Sequence, residues 1–390
     1  MFSSRLPRDL QPNRLAGLVE AKRGAGASLL DLTESNPTRA GFSYPSEEIV
    51  RAFTAGKSLV YEPAPTGLAE ARAAVAGYYV ERGQPADPER ILLTASTSEA
   101  YAYLFKLLAD PGGEVLVPRP SYPLFEFLAA MEGVRIAQYP LVYHDGWSID
   151  LDALARAAVS RTRAVIVVNP NNPTGSFIKR EELETLVRFC ATRDLAIISD
   201  EVFADYAFGP DPRRVRSLCG VEEALTFCLS GLSKVAGLPQ VKLAWIVMGG
   251  PAAARAQAAE RLELIADTYL SVGTHVQHAA PRLLAVAPSL QEQIARRLGD
   301  NLEFLQSAVR SKSGCRLLAV EGGWCAVLEV PTRRSEEEWC LEILDKDDVL
   351  VQPGFFYDFD SEAFLVLSLL TGSETFREGV LRLLKRLEAP

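Results

Sequence analysis

The sequence predicts an α/β fold, with a doubly wound, mostly parallel sheet in a large domain and a smaller α+β domain beside it. Three observations carry that expectation. Between about residues 46 and 248, short apolar runs at 91–93, 115–117, 164–168, 196–198, 225–229 and 243–248 read as strands. Amphipathic stretches at 68–82, 98–110, 151–159 and 180–193 lie between them and read as helices. Alternation of this kind, with strands apolar on both faces, suits a parallel sheet covered by helices on each side. After Pro251 the pattern changes to a long helix through Asp267, further helices, and short strands at 324–328 and 364–367. The large domain is therefore expected over residues 46–285, and the small one over 1–45 together with 286–390.

Composition narrows the function. A chain of 390 residues with 48% apolar content can bury two cores. Its net charge of -9 disfavours nucleic acid or an anionic membrane as the main partner, since both call for basic patches. Residues 1–13 are broken by Pro7 and Pro12 and carry Arg5, Arg8 and Asp9, so they lack the apolar centre of an export signal. No apolar run is long enough to span a bilayer. The expected setting is cytoplasmic. The six cysteines include no CxxC pair and suit reduced, buried thiols, and three histidines are too few and too scattered to suggest a metal site.

The chemistry concentrates at three stretches: Asn169-Pro170-Asn171-Asn172-Pro173-Thr174-Gly175, Asp200-Glu201-Val202-Phe203, and Leu229-Ser230-Gly231-Leu232-Ser233-Lys234. A lysine amine with its ordinary pKa of about 10.4 becomes useful to catalysis when a site forms an imine with it. Pyridoxal 5'-phosphate forms such a Schiff base and needs an acid partner for its pyridine nitrogen. Asp200, ending the apolar run 195–199, is placed to be that partner. Active groups gather at the carboxyl ends of strands in such sheets, where Asn169, Asp200 and the approach to Lys234 fall. Thr94-Ala95-Ser96-Thr97-Ser98-Glu99 sits between a strand and a helix, where backbone amides and the helix dipole suit a phosphate; Ser96 and Thr97 are the expected ligands.

In their order and spacing these motifs resemble the class I and II aminotransferases, the fold-type I family of pyridoxal-phosphate enzymes, from about residue 30 to residue 387. The resemblance implies a homodimer with active sites at the subunit interface. It implies that Lys234 forms the Schiff base and then shuttles the substrate proton, that Asp200 pairs with the ring nitrogen, and that Asn172 donates to the cofactor's phenolic oxygen. Tyr122, in Pro120-Ser121-Tyr122-Pro123, would stack on the ring. Tyr61, in Tyr61-Glu62-Pro63, would reach the phosphate in the neighbouring subunit.

Departures from the family pattern bear on substrate. Val366 stands where most members carry the arginine that grips the substrate α-carboxylate, and valine offers no fork for it. Arg39, in Glu34-Ser35-Asn36-Pro37-Thr38-Arg39, is the replacement considered first, with Asn36 beside it; Arg119 and Lys242 are weaker ones. Phe203 replaces a tyrosine that often bonds the phenolic oxygen. Lys242 falls at the place of a phosphate-binding arginine, Gly231 replaces a frequent serine ligand and leaves Ser233 as a hydroxyl donor, and Ser96 replaces a common glycine. Gly24-Ala25-Gly26 reads as a turn, Gly322-Gly323-Trp324 as the start of a small-domain strand near the site mouth with no catalytic part, and 333–338 as a helix start on a solvated face.

The expected activity is ping-pong transfer of an amino group between an amino acid and a 2-oxo acid. A lyase or decarboxylase of the same fold, or transfer from an amine without an α-carboxylate, stays open on the sequence alone.

Overall fold

The computed structural model describes residues 2–7, 11–54, 59–61, 63–270, 272–310 and 314–388. Glu62 of the Tyr61 motif lies outside the described residues, as do Arg8 and Asp9. Strands in chain order are β1 (Leu30–Asp31), β2 (Ile91–Thr94), β3 (Glu114–Arg119), β4 (Arg135–Tyr143), β5 (Trp147–Ile149), β6 (Thr162–Val168), β7 (Ala196–Asp200), β8 (Thr226–Gly231), β9 (Ala244–Gly249), β10 (Arg316–Leu317), β11 (Cys325–Glu329), β12 (Val349–Leu350), β13 (Gln352–Pro353) and β14 (Phe364–Ser368).

Eight of these build one sheet in the order β2-β9-β8-β7-β6-β3-β4-β5. β4, β3, β6, β7 and β8 run parallel to one another, while β9 and the edge strand β5 are antiparallel to their neighbours. The central strands are buried along their length because each face meets its own core. Val165, Val167 and Ile197 enter one apolar cluster, and Ala164, Ile166, Val168 and Ile198 enter another on the opposite face. Strand alternation thus sorts a continuous apolar run onto two sides.

The expected helices appear at Ala69–Glu81, Thr97–Leu108, Leu151–Ala157, Arg180–Arg193 and Ala252–Tyr269. β4 and β5 and the helix Phe125–Met131 were not expected. β4 is only partly buried and carries polar residues and Pro140, so its apolar signal is diluted. The segment 333–338 does open a helix, Glu336–Asp347, through a capping box in which Ser335 and Glu338 satisfy each other's backbone N–H.

A second sheet, antiparallel in the order β10-β11-β14-β13, packs over a third apolar cluster. β1 pairs in parallel with β12, Leu30 beside Val349 and Asp31 beside Leu350, and the Ser368 N–H donates to the Leu32 carbonyl. Both chain ends therefore meet in this part of the molecule. The helix Thr274–Arg310 serves two cores: Val276, Ala279, Leu283 and Ala287 belong to that of the large sheet, and Ile294, Leu298, Leu302 and Leu305 to that of the small one.

Candidate active site

Lys234 lies in a single helical turn, Leu232–Val235, directly after β8. Its backbone carbonyl accepts from the Tyr206 hydroxyl at 2.6 Å. Its Nζ stands 5.2 Å from the centre of the Trp324 ring and 5.7 Å from that of Phe203. Burial lowers the ammonium pKa, an effect that Asp200 partly opposes. Asp200 ends β7 and is buried. Burial pushes its carboxyl up to about 6, against hydrogen bonds from Val202 N–H at 3.3 Å and from the Tyr101 hydroxyl at 3.1 Å. That carboxylate lacks a full counter-charge, so the site has room electrostatically for a cation beside it.

Both groups line a cavity of about 400 Å³, together with Asn172, Tyr122, Thr97, Ser233 and Phe203. The three asparagines of the 169–175 motif divide their work. Asn169 bonds Ile178 N–H and the Val215 carbonyl, and Asn171 bonds Ser121, Thr174 and the Pro120 carbonyl. Asn172 has no hydrogen-bond partner among the described residues, and its amide is left to the cavity. Tyr122 meets Phe125 edge-on at 5.8 Å, and burial raises its hydroxyl pKa to about 12. Thr97 opens the helix Thr97–Leu108, whose first-turn N–H groups have no intrahelical acceptor.

Other expected residues stand elsewhere. Ser96 is the N-cap of that helix, its Oγ accepting from Glu99 N–H at 3.1 Å, and does not line the cavity. Tyr61 is 71% exposed. Lys242 is exposed, in the left-handed region at φ 60°, and its charge reaches Lys234 only as a minor influence. Arg39 is exposed and off the cavity wall, and Asn36 turns its Oδ1 back to Thr38. Arg119 is held by Asp360 at 2.9 Å and by the Asp358 carbonyl. Val366 is buried in the face of β14, paired with Val327 and Gln352.

One departure acquires a reason. A Cβ on Gly231 would stand 2.8 Å from the Ala244 Cβ and 3.0 Å from the Leu243 carbonyl oxygen, so β8 and β9 leave no space for a serine there. Gly322-Gly323-Trp324, expected near the site mouth with no catalytic part, brings Trp324 into the cavity wall. A Cβ on Gly322 would meet the Tyr206 carbonyl oxygen at 2.6 Å, and one on Gly175 would collide with the Gly322 carbonyl. Bare backbone on both sides lets this strand settle against the 169–175 loop and bring Trp324 to Lys234. Tyr101, Tyr206, Trp324, Gln352 and Tyr357 were all missed. Trp324 alone had a local signal, the paired glycines before it.

A mixed sheet whose strand ends bring a desolvated lysine, a buried aspartate and a free asparagine amide to one cavity defines an enzyme built around a ring cofactor. The chain belongs to the class I and II aminotransferase family, which it matches over residues 27–380. It is a pyridoxal-phosphate-dependent aminotransferase that moves an amino group between an amino acid and a 2-oxo acid. It is 29% identical over 355 residues to the glutamate-pyruvate aminotransferase AlaA of Escherichia coli (strain K12), covering 88% of this chain and 86% of that one. It is 30% identical over 303 residues to the arginine--pyruvate transaminase AruH of Pseudomonas aeruginosa, covering 77% and 75%. Its fold matches that of an alanine aminotransferase from Pyrococcus furiosus with a TM-score of 0.90 at 22% identity, each chain covered fully. Transfer is thus favoured over the lyase or decarboxylase chemistry that sequence left open. Among the described residues no helix is long and apolar enough to cross a membrane, and no cluster of His, Cys, Asp and Glu could hold a metal.

Proposed function

We propose that Lys234, Asp200 and Asn172 are the working groups of this aminotransferase, and that pyruvate, or alanine in the reverse sense, is among its substrates. The observation that carries the reading is the convergence of a desolvated amine, a buried carboxylate and an unclaimed amide on one cavity wall. Pyridoxal phosphate, when bound, supplies an aldehyde for a lysine amine and a protonated ring that accepts electrons as an α-proton leaves. Asp200 fits the ring nitrogen, because a carboxylate pushed up by burial gains most from a cation beside it. The Asn172 amide would donate to the phenolic oxygen, Tyr122 would lie against the ring, and Thr97, Ser233 and the helix N-terminus would hold the phosphate. Lys234 Nζ is the base that takes the proton from the donor Cα, and its lowered pKa keeps more of it neutral near physiological pH.

Pyruvate is supported by the names of the two relatives above and by the size of a cavity that must also seat the cofactor. The exposed Tyr61 supports a homodimer in which it reaches a neighbouring site, and cysteines that are buried or half-buried with no CxxC pair support a reducing, cytoplasmic setting. We divide the chain into a large cofactor-binding unit, 46–285, and a small one made of 1–45 and 286–390.

A half-reaction screen tests the assignment. Cofactor-loaded protein is mixed singly with common L-amino acids, and the lysine-linked absorbance is followed as it converts to the pyridoxamine form. Conversion by L-alanine, reversed by pyruvate, is expected; release of ammonia with no pyridoxamine form would reject transfer.

A further inference from the structure

An aminotransferase must hold a carboxylate, and the cavity contains no guanidinium. Among the described residues that line it, Lys234 is the sole cation. The side chains considered as replacements do not line it: Arg39 and Lys242 are exposed in this chain, and Arg119 pairs with Asp360.

Two neutral donors do stand in the wall. Trp324 is 3% exposed, and its indole Nε1 has no hydrogen-bond partner. Of the buried side-chain polar atoms that make no hydrogen bond among the described residues, Trp324 Nε1 is the one that belongs to the lining of this cavity. A buried N–H left without an acceptor is costly, so the bare protein is stabilised by anything that accepts there. Gln352 is the second donor. Its Oε1 accepts from the Tyr357 hydroxyl at 2.5 Å, and its Nε2 has no acceptor among the described residues.

Both side chains line the same cavity, Gln352 from β13 and Trp324 from the residue just before β11. Gln352 on β13 pairs directly with Val366 on β14, so it stands beside the valine on the same face. Trp324 leads into β11, whose Cys325 and Val327 pair with Ser368 and Val366 from the other side of β14. Ser368 and Cys325 line the cavity as well.

We propose that Trp324 Nε1–H and Gln352 Nε2–H bind the substrate α-carboxylate, a neutral anchor in place of a guanidinium fork. The proposal rests on the aminotransferase reading and names how that site recognises its acid. Neutral donors grip an anion less strongly than a charge-assisted bidentate pair. The enzyme should therefore prefer an amino acid over its decarboxylated amine by only about a hundredfold or less, the scale of two neutral hydrogen bonds.

The test compares L-alanine with ethylamine as donors for the cofactor-loaded enzyme, and measures propionate binding to it by calorimetry. Trp324→Phe keeps a ring against Lys234 and removes the N–H; Gln352→Leu keeps bulk and removes the amide. Each is expected to lower kcat/KM for L-alanine about tenfold and to weaken propionate about as much, with ethylamine changed by no more than about twofold. Gln352→Glu should depress L-alanine further while sparing ethylamine, since a carboxylate would face a carboxylate. Equal losses on both donors with unchanged propionate affinity would overturn the proposal. So would a carboxylate-specific loss on Arg39→Ala with none on the other variants. If wild-type enzyme turns over no amino acid, the aminotransferase reading fails, and the propionate titration still decides the anchor by itself.

Discussion

The Tyr206 hydroxyl donates to the Lys234 carbonyl oxygen at 2.6 Å, so the main chain that presents the reactive amine is held by a buried side chain from the segment after β7. Tyr206→Phe would leave that acceptor the long 3.4 Å hydrogen bond from Gly237 N–H, at a cost of about 0.5–1.5 kcal/mol. The expected result is a kcat lowered about tenfold with KM changed less, since misplacement of Lys234 touches proton transfer before binding. Steady-state kinetics together with the absorbance of the loaded enzyme read this; a shift in KM alone would count against it.

Lys234→Ala should leave a folded protein that binds cofactor without the lysine-linked absorbance. Turnover is expected to fall by at least about 10³, within the range for loss of a positioned proton carrier. Retained turnover would remove Lys234 from its assigned part.

The Asp200 carboxyl gives a pH prediction with a definite sign. Burial raises it from its ordinary 3.8 to about 6 in the folded chain without cofactor. The folded state then holds a proton that the unfolded state has already lost between those values, so stability declines as pH rises through that window and is flat above it. Cofactor-free Asp200→Asn should melt above the wild type at pH 8 and converge with it near pH 4. Glu201 is raised the same way in both proteins, so its contribution cancels in the comparison. Melting curves at the two pH values decide; an unchanged gap would refute it.

Phe203→Tyr would place a hydroxyl in the cavity wall, where Phe203 now meets Trp324 at 5.3 Å. A donor near the cofactor's phenolic oxygen stabilises its ionised form. The pKa read from the visible absorbance of loaded enzyme should fall; no change or a rise would reject the assignment.

Gly231→Ser should destabilise by about 1–3 kcal/mol, the usual cost of overpacking, because β8 and β9 approach too closely for a side chain. Thermal melting checks this, and a melting point equal to that of the wild type would show that the strands can part cheaply.

Sequence made legible whatever depended on local pattern. The central strands carried uninterrupted apolar runs, and Lys234, Asp200 and Asn172 sat in motifs of fixed order at strand ends. What it hid depended on packing across distant segments. β4 carries Pro140 and mixed polarity near the sheet edge, so periodicity dims there. That Asn172, and neither Asn169 nor Asn171, is free emerges only when Val215, Ile178, Ser121 and Thr174 are seen to occupy the others. Trp324 could not be assigned because Gly322 is required by Tyr206 and Gly175, which lie far off in the chain. Arg39 was plausible by position, but it is exposed and does not line the cavity of this chain.

The helix Thr274–Arg310 is 37 residues long, about 55 Å at 1.5 Å per residue, and one half seats in each core. Fraying either core would strip apolar cover from a helix that the other needs intact. Denaturation should therefore show a single cooperative transition, with both parts of the molecule lost together and no half-folded species accumulating between them.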